Sequence, residues 1–340
     1  MKKVLILGGG GFIGMNIAKF LARDQDSLIT LADLNFPRDK SDYFLKKNEE
    51  KISFIEANFC IEDSFNLLDD DYDEVYMLAS VVGVNNVISN PSHVIDTNTR
   101  LILNTISWLK NSTVKKVLFS STSETYSCTT DHFNYKIPTD EKVPLSVLDI
   151  NDPRFTYAIT KIFGESAFLN AAKGENFETT IVRYHNAFGP DMGFKHVIPH
   201  LVERFINKED PFKMYGYDQT RSFSFIDDVA QGTILAMKSN KSANEIFHLG
   251  CDQEITIEEL IHEVGNILNF KGTYIEAETF PGSVDRRCPD INKAKKILGY
   301  APVINWKDGL KRTVDWYLEY FKNNPLPKSD GFIESKSIKD

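Results

Sequence analysis

The 340-residue sequence contains no apolar run approaching the roughly 20 residues needed to span a bilayer, so no membrane partner is expected. It has four cysteines, Cys60, Cys128, Cys251 and Cys288, widely separated and without a Cys-x-x-Cys or a paired histidine nearby. That spacing indicates neither a disulfide framework nor a zinc centre, and no metal site is expected. Positive charge is in deficit, with a formal net charge of −9, which argues against a nucleic-acid partner held through its phosphates. A small anionic substrate needs only a few local arginines and is not excluded. There is no internal repeat and no low-complexity linker; residues from about Asn323 to Asp340, rich in Lys, Ser, Pro and Asp, read as a loose tail. Lys2 and Lys3 precede an apolar stretch too short for a signal peptide, so the cytoplasm is the expected location.

Glycine is modest at 19 residues, yet four of them stand together as Gly8 to Gly11, directly after Val4-Leu5-Ile6-Leu7 and before Phe12-Ile13-Gly14. The pattern is strand, tight turn, helix. Gly8, Gly11 and Gly14 recur every third residue, so the backbone can turn sharply and approach a pyrophosphate, while the helix that comes next offers free N–H groups and a positive dipole end. Leu28 to Ala32 reads as a second buried strand ending at Asp33, nineteen residues after Gly14. An acid there accepts both ribose hydroxyls of NAD and repels a 2′-phosphate. NAD is therefore the expected cofactor. Arg38 and Lys40 are the residues that would serve NADP instead.

Short apolar strands alternate with amphipathic helices to about residue 185, which predicts a parallel sheet covered on both faces. Strands are expected at Val4 to Leu7, Leu28 to Ala32, Ser53 to Glu56, Glu74 to Ala79, Lys116 to Ser121 and Thr179 to Tyr184. Beyond residue 185 the pattern breaks into Phe188-Gly189-Pro190, Asp210-Pro211, Lys213 to Gly216 and Ser222 to Ile226, a more irregular lobe, and Glu245 to Gly250 reads as a strand returning to the sheet. The fold class is thus α/β, a Rossmann-type doubly wound parallel sheet with a smaller irregular α/β substrate-binding lobe. Residues 1–185 and about 226–250 form the NAD-binding domain, and about 186–225 with 251–322 the second lobe. The helices from about Thr97 to Lys110 and from Tyr157 to Ala172 carry apolar residues on more than one face, as an intersubunit bundle requires, so a homodimer is expected. Asp227 and Asp228 read as caps of a helix beginning at Val229; Phe223, Phe225 and Trp306 read as core.

Tyr157-Ala-Ile-Thr-Lys161 supplies candidate chemistry, because residues four apart share one helix face. A phenol with a pKa near ~10 must drop by about three units, roughly 4 kcal/mol, to accept a proton at neutral pH. Lys161 and a bound nicotinamide, both cationic, are the expected sources.

Together these segments resemble the extended short-chain dehydrogenase/reductase family, the NAD-dependent epimerases, dehydratases and decarboxylases of nucleotide sugars. The resemblance spans nearly the whole chain. It rests on the Gly8 to Gly14 turn, Asp33, Leu78-Ala79-Ser80, Phe119-Ser120-Ser121-Thr122, Tyr157 with Lys161, Arg183 to Pro190, Arg221-Ser222-Phe223 and Pro289 to Lys295. It implies that Phe12 and Ile13 line the pyrophosphate turn, that Asn58 and Phe59 lie against the adenine, and that Leu78, Ala79 and Ser80 lie under the cofactor. Thr122 takes the hydroxyl position beside Tyr157. Ser123, Asn186, Arg221 and Arg287 are the implied contacts of a nucleotide-diphosphate sugar, arginine being suited by its two parallel donors. His185 would grip the nicotinamide or the sugar, while His196, His200, His248 and His262 read as structural.

In that chemistry Tyr157 takes the proton of a sugar 4-hydroxyl as the C4 hydrogen leaves as hydride, giving a 4-keto sugar. Glu124 separates the outcomes. Thr122-Ser123-Glu124 resembles nucleotide-sugar decarboxylases and the dehydratases acting on GDP-mannose, whereas 4-epimerases mostly lack an acid there. Ser123 disfavours the dehydratases that protonate a leaving 6-hydroxyl from that position, and Arg154 occurs in both remaining groups. Decarboxylation is expected first, 4,6-dehydration second and 4-epimerisation third. Outside this class, a reductase of non-sugar ketones would have no use for Arg221 with Arg287, and a silent NAD sensor would be expected to lose Thr122, Tyr157 or Lys161.

Overall fold

A computed structural model describes residues 1–23, 26–36, 47–279 and 284–324; Arg38, Lys40 and most of the expected tail lie outside the described residues. Lys2–Leu7 (β1), Ser27–Asp33 (β2), Ile52–Glu56 (β3), Glu74–Met77 (β4), Lys116–Thr122 (β5) and Glu178–Tyr184 (β6) form one parallel sheet. The chain then leaves it for Ala187–Phe188 (β7), Phe212–Tyr215 (β8), Thr220–Ser222 (β9) and Ser224–Phe225 (β10), and returns as Glu245–Leu249 (β11). The spatial order is β11-β6-β5-β4-β1-β2-β3, every neighbour parallel, which puts the order reversal beside β1.

Alternation along β1 shows how the sequence builds this. Val4 and Ile6 enter the core on one face with Ile17 and Ala18 of helix Phe12–Leu21 and Val229 and Ala230 of helix Ile226–Lys238. Leu5 and Leu7 enter the core on the other, with Ile102 and Ile106 of helix Pro91–Lys110 and Phe168 of helix Thr156–Ala171. A strand buried on both faces must be apolar throughout, and each such side chain contributes about 1.5–3 kcal/mol.

The second lobe consists of small sheets. β7 pairs with β10, β8 with Tyr274–Ala277 (β13), and β9 lies between Glu254–Thr256 (β12) and Arg286–Arg287 (β14). The segment Ser222 to Ile226 is divided, because β9 and β10 belong to different sheets with Phe223 between them. The expected cap at Asp227 and Asp228 is also corrected: the helix starts at Ile226. Asp228 accepts from the backbone N–H groups of Val303 and Ile304, and Asp227 pairs with Arg312 at 3.0 Å, so both carboxylates tie helix Ile226–Lys238 to the C-terminal elements. Phe223, Phe225 and Trp306 are buried, as expected.

Candidate active site

The carboxyl ends of β1, β4 and β5 face one crevice at the switch point, where an open α/β sheet binds its ligands. Gly8 has φ +87°, and a Cβ there would stand 2.6 Å from the backbone nitrogen of Ala79, so only glycine lets the two strand ends approach. A Cβ on Gly14 would stand 2.4 Å from the Gly8 carbonyl oxygen. Helix Phe12–Leu21 begins at Gly11 with no side-chain cap, leaving its first-turn amides for an anion. Asp33 accepts from the Gly10 N–H at 2.9 Å and the Leu34 N–H at 2.7 Å, which fixes its carboxylate at the mouth of the turn. Burial raises its pKa, opposed by those backbone donors. Only part of the acceptor capacity of the carboxylate is used, so the cradle fits a dinucleotide with free ribose hydroxyls.

Leu78, Ala79 and Ser80 follow β4 and are half-buried at the crevice, with Leu78 and Ala79 donating to the Leu7 carbonyl. Asn58 uses its side chain to accept from the Cys60 N–H at 3.0 Å. The Phe59 ring is 4% exposed and packs edge-on against Phe65.

Thr122 ends β5, and its Oγ1 accepts from the Glu124 N–H at 3.2 Å, capping the short helical turn Ser123–Tyr126 and leaving its own O–H to donate. Tyr157 and Lys161 share helix Thr156–Ala171, as their spacing predicts. The Lys161 ammonium lies 5.7 Å from the centre of the Tyr157 ring and donates to the Ser120 carbonyl at 2.8 Å. Burial pushes the Lys161 pKa down to about 7, against the pull of Glu165. Burial, with the Glu124 charge behind it, pushes the Tyr157 phenol up. Both shifts run opposite to the direction that proton abstraction by Tyr157 would need.

The second lobe brings arginines to the same crevice. β9 and β14 are parallel in a register that places Arg221 beside Arg287. Arg221 donates to the carbonyls of Thr220 and Asp285, and burial, then the charge of Arg287, lowers its pKa to about 10. Arg287 is 6% exposed; its Nη1 meets Glu124 Oε1 at 2.5 Å and Ser123 Oγ at 3.4 Å. Its Nε–H is buried with no hydrogen-bond acceptor among the described residues, a donor that costs about 1–3 kcal/mol until one is provided. Burial works against the Glu124 charge, but Arg287, then Arg154 and Arg221, outweigh it and hold that carboxyl below its usual range. Asn186 (φ +35°) donates to the Ser222 carbonyl at 2.9 Å. With Arg221, Tyr215 and Phe223 it lines an adjoining cavity of about 220 Å³.

Several participants were not anticipated. Glu165 and Arg183 form a buried double ion pair at 2.8 and 2.7 Å, and Glu165 also accepts from Ser121, pinning the Tyr157 helix to β5. The position of Glu165, four residues after Lys161, was a signal available in the sequence. His185 is fully buried, 3.2 Å from the Tyr126 hydroxyl and beside His248.

The profile of the NAD dependent epimerase/dehydratase family matches residues 4–250, and the chain belongs to that family. NAD is accordingly its cofactor. A UDP-N-acetyl-alpha-D-glucosaminuronate decarboxylase of Bacillus cytotoxicus is 31% identical over 94% of this chain and 98% of the relative. A UDP-glucuronate 4-epimerase of Thermodesulfobacterium geofontis is 29% identical over 93% and 96%. Among solved structures, the UDP-glucuronic acid 4-epimerase of Bacillus cereus, in complex with UDP-glucuronic acid and NAD, superposes with a TM-score of 0.82, covering 94% of this chain and 99% of that one at 23% identity, a likeness of fold.

Proposed function

We propose that this enzyme oxidises C4 of a nucleotide-diphosphate sugar and then releases carbon dioxide from a C5 carboxylate. Glu124 carries the reading. It stands two residues past Thr122 at the end of β5, paired to Arg287 from the other lobe, where the sugar ring would lie between the lobes. Bound NAD supplies the hydride acceptor and a positive charge beside Tyr157. Tyr157 takes the proton of the 4-hydroxyl, and the free O–H of Thr122 donates to the same oxygen. Gly8, Gly11, Gly14 and Asp33 hold the dinucleotide; Asn186, Arg221 and Arg287 hold the diphosphate, and the unmatched Nε–H of Arg287 gains its acceptor there.

A ketone at C4 makes the C5 carboxylate a β-keto acid, so carbon dioxide leaves without a base. Dehydration needs a base at C5, and a carboxylate held ionised below its usual range is a weak one, which places 4,6-dehydration behind decarboxylation. Simple 4-epimerisation is the second reading, supported by the epimerase among the relatives. Incubation with NAD and a panel of UDP-, GDP- and dTDP-sugars in heavy water, with product masses read out, decides. Loss of carbon dioxide is the expected result; loss of water with deuterium uptake gives dehydration, and unchanged mass gives epimerisation.

We also propose a homodimer through the helices Pro91–Lys110 and Thr156–Ala171, which leave Ile95, Leu103 and Phe163 at 48%, 50% and 39% exposure. A monomeric mass in light scattering at micromolar concentration would rule it out.

A further inference from the structure

Two neighbouring residues of β5 hold the Tyr157 helix. The Ser120 carbonyl takes the Lys161 ammonium at 2.8 Å, and the Ser121 hydroxyl donates to Glu165, one helical turn further on. Lys161 and Glu165 are each 3% exposed. A buried carboxylate is costly unless its lone pairs are met, and Glu165 meets the fork of Arg183 at 2.8 and 2.7 Å as well as Ser121. Both of its oxygens are thus engaged inside the protein.

Lys161 is met differently. Its ammonium donates to the Ser120 carbonyl, reaches the Ser120 hydroxyl at 3.4 Å, and rests 4.8 Å from the centre of the Phe119 ring. Among the described residues no carboxylate lies within ion-pair distance of it. A buried ammonium in neutral company loses its proton readily, so any compensation comes from a charge in the next layer. Residues four apart on a helix have Cβ atoms about 5–6 Å apart, which makes Glu165 that charge. Its pull opposes the burial that brings Lys161 down to about 7. The balancing Arg183 stands one strand further out, on β6, and offsets this pull only in part. Other charged groups on the surrounding elements are committed elsewhere: Glu124 to Arg287, Asp96 to Arg100 and Lys110 to Glu175. Glu178 opens β6 beside Lys116, below the level of Ser120, and Arg154, three residues before Tyr157, is a cation. His93 is exposed, and Tyr126 and Tyr184 bond His185 and Thr233.

We propose that Glu165 is a positioning residue for the oxidation step: held by Ser121 and Arg183, it presents its negative charge one turn from Lys161 and so keeps that ammonium the cation of the site. This role rests on the reading that Tyr157 and Lys161 oxidise C4 of the sugar, but not on the fate of the 4-keto sugar.

The Lys161 midpoint is read by nuclear magnetic resonance of the lysine Cε groups in the full chain, the signal being assigned by its loss in Lys161→Arg. Glu165→Gln alone leaves Arg183 buried and unpaired, which burdens the fold, so the main variant combines it with Arg183→Met and removes both charges. In that double variant the midpoint is expected to fall by about half a pH unit to one unit. The rate of NADH formation from UDP-glucuronate in the first turnover at about pH 7 is expected to fall about twofold to sixfold, as the charged fraction of Lys161 does, with KM unchanged. Glu165→Asp, which keeps the charge on a shorter arm, is expected to stay closer to the wild-type midpoint. A role in stability alone would lower the melting temperature and leave midpoint and rate where they were, which would overturn the proposal. So would a midpoint that moves with no change in rate. Failure of the C4-oxidation reading shows separately, because the midpoint is read without substrate: the wild-type enzyme would form no NADH from any sugar of the panel while the Lys161 midpoint still followed Glu165.

Discussion

His248 makes stability depend on pH in a calculable way. It is fully buried, and its Nδ1 lies 3.1 Å from the Thr139 carbonyl, so Nδ1 carries the proton and Nε2, 3.5 Å from Arg183 Nη1, keeps its lone pair. Burial, then the charge of Arg183, lowers its pKa to about 3, whereas an unfolded histidine titrates near ~6.5. The folded pKa is the depressed one. The unfolded chain therefore binds the proton first as pH falls, and stability that is complete above about 6.5 erodes down to about 3. At pH 5, the unfolded histidine is about one and a half pH units below its pKa and the folded one is still neutral, a loss of about 2 kcal/mol. Urea unfolding followed by circular dichroism at about pH 7.5 and about pH 5 measures it, comparing wild type with His248→Gln, whose amide can still donate to the Thr139 carbonyl. The quantity compared is the loss between the two pH values, so a less stable variant still serves. Wild type is expected to lose about 2 kcal/mol more than the variant. Equal losses would refute the assignment of a neutral, buried imidazole. His185, also buried and pushed well down by burial and by His248, adds a loss of the same sign in both proteins.

Tyr157→Phe is expected to lower kcat by about a thousandfold or more while leaving the NAD-induced rise in melting temperature intact; substantial turnover would remove Tyr157 from its role. Glu124→Gln removes the charge that pairs with Arg287; it is expected to permit oxidation and slow the next step by loosening that arginine, so NADH absorbance should accumulate under excess substrate. Normal turnover by that variant would dismiss Glu124. Gly14→Ala places a methyl 2.4 Å from the Gly8 carbonyl oxygen and should weaken NAD at least about tenfold, read by fluorescence titration. Asp33→Ser should narrow the preference for NAD over NADP, which the ratio of the two dissociation constants reports; an unchanged ratio would relieve Asp33 of that role.

Local pattern determined much of this protein. Apolar runs on β1 and β2, bounded by Gly8 and Asp33, can only be buried strands, and they led to the sheet, its two covered faces and the dinucleotide turn. The helical spacing of Tyr157 and Lys161 was equally legible. These are effects within a few residues, where backbone freedom and side-chain period leave few alternatives. Tertiary structure alone decided the partners. Glu124 meets Arg287 across 163 positions, and Arg221 lies beside Arg287 because β9 and β14 pair in one register. Lys161 turns to the Ser120 carbonyl, Glu165 to Arg183, and Asp227 to Arg312, each across a gap that no periodicity encodes. A side chain's type and period set which face it occupies, but the long loops between parallel strands decide which distant group it finds there. That second choice sets the surroundings of Tyr157, Lys161 and Glu124.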